Sequence, residues 1–284
     1  MQQDTNFEIV LRPETSWLSI ELKNLWHYRD LLSLLVWRDL AARYRQTILG
    51  PLWFVIQPLM MTVIFTIVFG KVAGMPTDGL PHVLFYLCGQ LGWNYFAQSL
   101  STGATTLVTN ANLFSKVYFP RLVVPLSALV SNLLAFLIQL ATFFAFFVYF
   151  KYVLKSGTFG LNWRVIFLPL LVLHIAALSL GVGLLLSSVT AKYRDLSQLT
   201  NVLIQVWLYA TPVIYPLSKV PARWQWVAAV NPMTVIVESF RLMLLGTGTV
   251  VPQHLVYSVS LTALLLVSGL LVFGKVEKTF VDTV

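Results

Sequence analysis

Charge is scarce in this chain. Of its 284 residues, 19 are Lys or Arg and 11 are Asp or Glu, which makes 11% charged, where a soluble domain carries about 25%. With 57% hydrophobic residues and a mean hydropathy of +0.77, a water-soluble globular protein is excluded. The few charges are crowded forward, twelve of them within the first 45 residues. The basic excess (pI near 9.6) never gathers into a run of five or six Lys or Arg, so a nucleic-acid partner is not expected. Basic residues that border apolar runs act as orientation signals in a membrane instead.

Other chemistry is missing too. A single cysteine, Cys88, excludes an internal disulfide and reads as a small buried hydrophobe. The histidines are His27, His82, His174 and His254, and none lies four residues from another. His174 alone falls inside an apolar run, where an ionisable group is a functional hypothesis by default; a neutral ring bonded to a neighbouring helix is the plainer reading. Gly70-Lys71 and Gly274-Lys275 are each followed by valine, so no phosphate-cradling G-x-x-x-x-G-K-[ST] loop exists. Beyond the front segment the acids are Asp78, Asp195, Glu238, Glu277 and Asp282, in separate segments. The clustered carboxylates of metal or acid–base chemistry are therefore missing, and no catalytic residue or metal site is expected. A passive channel is disfavoured, because no span carries a ring-forming set of charges. Residues 1–17 hold Asp4, Glu8, Arg12, Pro13 and Glu14 and lack the apolar core of a signal peptide. Insertion is expected to rest on the spans themselves.

What is present is a series of long apolar runs. A membrane helix needs about 20 such residues, and segments at about 50–70, 83–107, 122–150, 165–189 and 253–273 qualify. A sixth, about 197–216, is shorter and ends at Thr211-Pro212-Val213-Ile214-Tyr215-Pro216. Residues 224–245 contain Asn231-Pro232, Glu238 and Arg241, a combination that predicts a re-entrant helical pair, since broken backbone is tolerated at depth only where protein or water covers it. The fold class expected is all-α integral membrane, with six spans. A cytoplasmic N-terminus places twelve basic residues inside and seven outside, so both termini are expected to be cytoplasmic. Residues 1–21 form an N-terminal extension, 50–273 the permeation domain and 274–284 a tail.

Residues 22–48 read as a helix that cannot span. Trp37, Leu40, Ala41, Tyr44 and Ile48 recur at three- and four-residue spacing, with Leu25, Leu32 and Leu35 upstream; Arg38, Asp39, Ala42, Arg43 and Gln46 take the other face. The pattern predicts an amphipathic helix in the membrane interface, anchored by Trp26 and Trp37, with Asp39 and Arg43 paired across one turn.

The loops then carry a resemblance. Residues 38–53, RDLAARYRQTILGPLW, close the surface helix and open the first span, and 110–121, NANLFSKVYFPR, join the second and third. Tyr193-Arg194-Asp195, the Thr211–Pro216 run, Asn231-Pro232-Met233 and Glu238-Ser239-Phe240-Arg241 follow in order. Together, from about residue 24 onward, these resemble the type-2 ABC transporter permeases that export bacterial surface polysaccharides such as O-antigen, capsule and teichoic acid. The resemblance implies a multi-pass protein of the bacterial inner membrane that forms a homodimer with two copies of a cytoplasmic ABC ATPase. ATP and Mg would then be held by that partner, with no cofactor on this chain. It also implies a substrate made of glycan on undecaprenyl diphosphate.

Under that resemblance, Asn112, Leu113, Phe114, Ser115 and Lys116 would seat in the ATPase, with Tyr193, Arg194 and Asp195 as the second coupling loop. An ordinary hairpin connection is the plain alternative. Arg38, Arg43 and Arg45 would meet the diphosphate, or serve only as positive-inside anchors. Trp53, Phe54, Trp93, Tyr95, Phe96, Trp207 and Tyr209 would stack sugar faces along the path, or form part of the interfacial aromatic belt. Asn231, Pro232, Glu238 and Arg241 would form an outer gate. A type-2 permease for a drug or lipid, or a membrane enzyme of lipid-linked glycan synthesis, is the alternative function.

Overall fold

The computed structural model describes residues 26–44, 47–114, 116–117, 119–155, 159–193 and 195–280, and among these every regular element is helical. A surface helix α1 (Arg29–Tyr44) precedes α2 (Trp53–Phe65), which continues in wider π turns to Val72. Helix α3 (His82–Ala104) leads through two single-turn helices, α4 (Thr106–Thr109) and α5 (Ala111–Phe114), into α6 (Val123–Val148). A 3-10 segment, Trp163–Phe167, opens α7 (Leu168–Thr190), and α8 (Leu196–Ala210) follows. Then come α9 (Ala222–Val230), α10 (Pro232–Leu245) and α11 (Pro252–Phe280).

Among the described residues, four helical stretches are long and apolar enough to cross a membrane: Gly50–Val72, Val123–Val153, Trp163–Thr190 and Pro252–Glu277. The α9–α10 pair, bent by 91°, makes a fifth if it counts as one span. Six simple spans, the expectation above, are not what these helices display, and the two shortfalls have different causes. Helix α3 has 23 residues, enough for about 35 Å at 1.5 Å per residue, but Gln90, Asn94 and Gln98 make it too polar. Helix α8 has 15 residues and reaches only about 22 Å, short of a hydrocarbon core of about 30 Å.

Burial explains the polarity of α3, since most of its residues from Leu84 to Ala104 are buried against α6, α7, α10 and α2. It need not be apolar, because protein rather than lipid covers it. Helix α7 packs against α3 on one side and α11 on the other. The second contact is made at Gly181 and Gly269, where an added Cβ would sit 2.6 Å from the Leu266 nitrogen and 2.5 Å from the Gly181 oxygen respectively. Helix–helix attraction in a membrane is largely dispersion and therefore depends on such close backbone approach.

The bend expected at Asn231-Pro232 is present. Pro232 has no N–H to give and a φ already suited to a helix start, and Asn231 Oδ1 accepts from Met233 N at 3.0 Å as the cap. Helix α10 ends at Gly246, left-handed at φ 75°, the backbone state glycine adopts at least cost.

Candidate functional site

The two ends of α3 define two candidate sites. At its C-terminal end, Thr190 Oγ1 of α7 donates to Ala104 O at 2.6 Å and Leu107 N donates to Ser187 Oγ at 3.4 Å. The 110–121 and 191–195 segments therefore leave the bundle at the same end. Leu35 of α1 is buried there in a cluster with Leu107, Phe114, Phe119, Val123, Leu184 and Phe273. Of the expected coupling residues, Phe114 is buried in that cluster, Leu113 packs against it, and Asn112 and Lys116 are exposed. Tyr193 is exposed with Lys192 Nζ 5.2 Å from its ring centroid, and Asp195 is exposed. Ser115 and Arg194 lie outside the described residues, as does Arg45. Arg121 braces this end, its guanidinium donating to Glu277 O and its N–H donating to Glu277 Oε1 at 3.2 Å.

Helix α1 turns inward the anticipated Leu32 and Leu35, with Leu40 and Ala41 half-buried, but not Trp37. Tyr28, Leu31, Leu32 and Leu35 pack on the bundle, while Trp26 and Trp37 point outward together, both more than 70% exposed. The expected Asp39–Arg43 pair gives way to other bonds. Asp39 accepts two bonds from Arg38, at 3.0 and 2.8 Å, and Arg43 Nη2 reaches Asn132 Oδ1 on α6 at 2.9 Å. Asn132 is buried and donates onward to Ser99 Oγ and Thr102 Oγ1 of α3, at 3.3 and 3.4 Å. Arg43 is thus tied to the central helix through one carboxamide, a link that local spacing could not show because its partner lies 89 residues away. A buried Asn in an otherwise apolar run was the available signal.

At the other end of α3 the chemistry is polar and closed. Arg241 and Glu238 are almost fully buried and bonded at 2.8 Å. Arg241 also donates to Val213 O at 3.0 Å and Tyr215 O at 3.5 Å, and its guanidinium carbon sits 3.9 Å from the Phe85 ring centroid. The other carboxylate oxygen of Glu238 accepts from Thr249 N at 2.9 Å. This ion pair therefore staples α10 to α3, to the irregular 211–216 run and to the turn before α11. The turn can approach because Gly248 has φ 143° and no Cβ, which would meet Glu238 O at 2.6 Å. Asn231 adds a second staple: Oδ1 also accepts from Trp207 Nε1 at 2.9 Å, and Nδ2 donates to Thr211 Oγ1 at 2.9 Å and Ala210 O at 3.2 Å. Pro232 O accepts from Ser258 Oγ at 3.1 Å, and Ser258 and Thr262 of α11 lie within hydrogen-bond reach of His174 Nε2. His174 is therefore bonded to a neighbouring helix, the plainer of its two readings.

The aromatic candidates divide. Trp93, Tyr95 and Phe96 are buried in the bundle: Phe96 packs edge-on to Trp207 at 5.0 Å, and Tyr95 lies 5.7 Å from Phe136. Trp53 and Tyr209 are exposed, while Phe54 and Trp207 are half-buried.

Comparison with known proteins gives this geometry its context. The family model described as ABC-2 type transporter matches residues 30–245, from the surface helix to the end of α10. The chain belongs to the ABC-2 type transporter family. It is a multi-pass membrane permease, a transporter component rather than a catalytic enzyme. The permease is 29% identical over 267 residues to the O-antigen export system permease protein RfbA of Klebsiella pneumoniae, across 93% of this chain and 99% of that one. It is 30% identical over 224 residues to the Myxococcus xanthus protein of the same name, across 78% and 82%. The capsule polysaccharide export inner-membrane protein CtrC of Neisseria meningitidis is 20% identical over 251 residues, across 88% and 92%.

Proposed function

We infer that this permease is the membrane subunit of an ATP-driven exporter that moves a lipid-linked polysaccharide, with O-antigen the best-supported cargo, across the bacterial inner membrane. One observation carries the reading: the similarity to O-antigen export permeases runs almost end to end, over 93% of this chain and 99% of the relative. A shared cargo class accounts for likeness that takes in the surface helix, the short loops and the bent pair alike.

Two copies of the permease enclose the path, and two copies of a separate ATPase bind ATP and Mg and drive it. The permease crosses the membrane six times, with α3 crossing as a protein-covered central helix and α8 joining the irregular 211–216 run to complete its crossing. The α5 end faces the cytoplasm together with both termini, as the charge count favours. Helix α5 and the exposed Lys192, Tyr193 and Asp195 receive the ATPase, and Phe114 passes its movement to α1 and α7 through the shared apolar cluster. Arg38 and Arg43 stand where a diphosphate arriving from the cytoplasmic leaflet would first meet positive charge. Exposed Trp53 and Tyr209 offer ring faces to sugars, and buried Trp93, Tyr95 and Phe96 hold the helices that present them. The α9–α10 bend, pinned by Asn231, Glu238 and Arg241, closes the exit.

The test is deletion of the gene in its native host, followed by assay of surface glycan beside intracellular lipid-linked glycan. Loss at the surface with accumulation inside is expected. Unchanged surface glycan would overturn the cargo, and loss of both pools would overturn the export step.

A further inference from the structure

Helix α3 carries a row of uncharged polar side chains one turn apart: Gln90, Asn94, Gln98, then Ser101 and Thr102. Its upper members have partners, since Gln90 Nε2 donates to Thr62 Oγ1 of α2 at 3.1 Å and Asn94 Nδ2 to Gln139 Oε1 of α6 at 3.2 Å. Lower down the row emerges. Gln98 is exposed, and Ser101 Oγ lies 3.5 Å from Asn201 Oδ1 of α8.

Helix α8 continues the pattern. Its one buried residue, Thr200, and its half-buried Ile204, Trp207 and Leu208 turn toward the bundle, whereas Gln198, Asn201, Gln205 and Tyr209 recur at spacings of three and four and are all exposed. Beside this stripe α8 exposes Leu199, Val202, Leu203 and Val206, the apolar side that a helix at the edge of a lipid-facing bundle turns outward, so the polar stripe is a separate face. Carboxamides left against hydrocarbon would forfeit their hydrogen bonds, so this face is covered by water or by polar groups. The exposed faces of α7 and α11, by contrast, present Leu170, Leu173, Leu264 and Val267.

We propose that the path for the glycan is a lane of carboxamides and hydroxyls in which Gln98 and Ser101 of α3 stand beside Asn201 and Gln205 of α8. The proposal rests on the export reading above. Carboxamides and hydroxyls both donate and accept hydrogen bonds, as sugar hydroxyls do. A row of such groups lets a hydrated saccharide trade one bond for the next without a single tight site, and the absence of charge prevents any one sugar from being held. The row also explains why a central helix should be too polar to cross lipid unaided.

The test uses single-cysteine variants of the full permease, co-expressed with its ATPase, in a background where Cys88→Ala removes the only native thiol. Gln98→Cys, Asn201→Cys and Gln205→Cys are compared with Leu170→Cys and Leu264→Cys in membrane vesicles treated with a membrane-impermeant methanethiosulfonate. The cysteine thiolate, which forms only where water reaches, attacks the reagent's sulfenyl sulfur and displaces methanesulfinate to leave a mixed disulfide, so the three lane positions should react about ten-fold or more faster than the two controls. Equal rates would overturn the proposal. So would spontaneous disulfide formation between two copies at Asn201→Cys without labelling, which would make this face a dry contact between copies. The second arm is Gln98→Leu and Gln205→Leu, expected to lower surface glycan several-fold at unchanged permease level; full export in both would overturn the lining role. Slow labelling while the wild-type gene restores surface glycan to a deletion host would sink the lane alone. Failure of the wild-type gene to restore it would sink the export reading instead.

Discussion

The two ends of α3 are held in opposite ways. Around Phe85 and Gly89 the permease is stapled by a buried ion pair, a four-bond asparagine and backbone carbonyls aimed at Arg241. About 25 Å away by helix length, at Ala104 and Leu107, the holding force is a small apolar cluster, with Arg43–Asn132 and Arg121–Glu277 at its margin. Directional bonds between buried groups fix one geometry and fail all at once, whereas apolar contacts can slide. The stapled end suits a closure that holds while nothing is moving, and the greasy end suits a surface that takes up a push.

The largest effect should come from unstapling the first end. Arg241→Met leaves Glu238 buried without its cation, and breaking one side of such a pair costs about 3–5 kcal/mol. The variant should be strongly depleted in membranes and unfold earlier in detergent, and Glu238→Gln combined with Arg241→Met should recover part of the loss. Single and double variants of equal abundance would mean that the pair is no staple. For the gate role, Arg241→Ala that leaves both export and resting leak untouched would remove it.

Leu35→Ala should come next. It empties a position that is 3% exposed in a cluster small enough to relax around the gap, so about 2 kcal/mol is expected, the low end for a buried leucine. Limited proteolysis of α1 in vesicles reads the outcome directly, with faster cleavage than wild type expected; an unchanged rate would mean that α1 is held by something other than this cluster.

How much of this contrast can be read from residues alone differs between the ends. Glu238 and Arg241 are three apart, and Asn231 precedes Pro232, so the staple is written in local spacing. The four apolar helices are equally plain, because an uncharged run of sufficient length has few other uses. The greasy end is not local: Leu35, Phe114, Leu184 and Phe273 come from four distant segments, and no period joins them. The same limit misdirected Arg43 to Asp39, since a pattern confined to one helix cannot see Asn132. Aromatic content could not separate Trp93, inside the bundle, from Trp53, outside it, because span membership says nothing about which face a ring takes.

Asn231→Ala comes third. It removes the cap of α10 and three further bonds, but the neighbouring Ala210 carbonyl and Thr211 hydroxyl can find other partners, so the cost should be about 1–2 kcal/mol, as for cap losses elsewhere. A modest drop in detergent melting temperature is expected, together with a raised resting leak to small solutes. A drop in melting temperature with no leak would leave Asn231 a structural cap only and detach it from the closure.

The smallest stability change, and the sharpest test, is at Arg43. Its bond to Asn132 joins a half-exposed guanidinium to a neutral amide, so Arg43→Gln should cost about 1 kcal/mol or less once solvent competition is allowed for. A fold-only role would leave transport in proportion to that small loss. If the Arg43–Asn132–Ser99/Thr102 chain carries movement of α1 to the central helix, export should fall much further than abundance does, and ATP hydrolysis by the partner should continue without it. Asn132→Leu should then show the same uncoupling from the other side of the bond, because it cuts the same chain while leaving Arg43 free to meet a diphosphate. Equal defects in the two variants would place the effect in the chain. A defect in Arg43→Gln alone would place it in the arginine's own contact with substrate, and the contrast between a fixed end and a yielding one would then lose its mechanical reading.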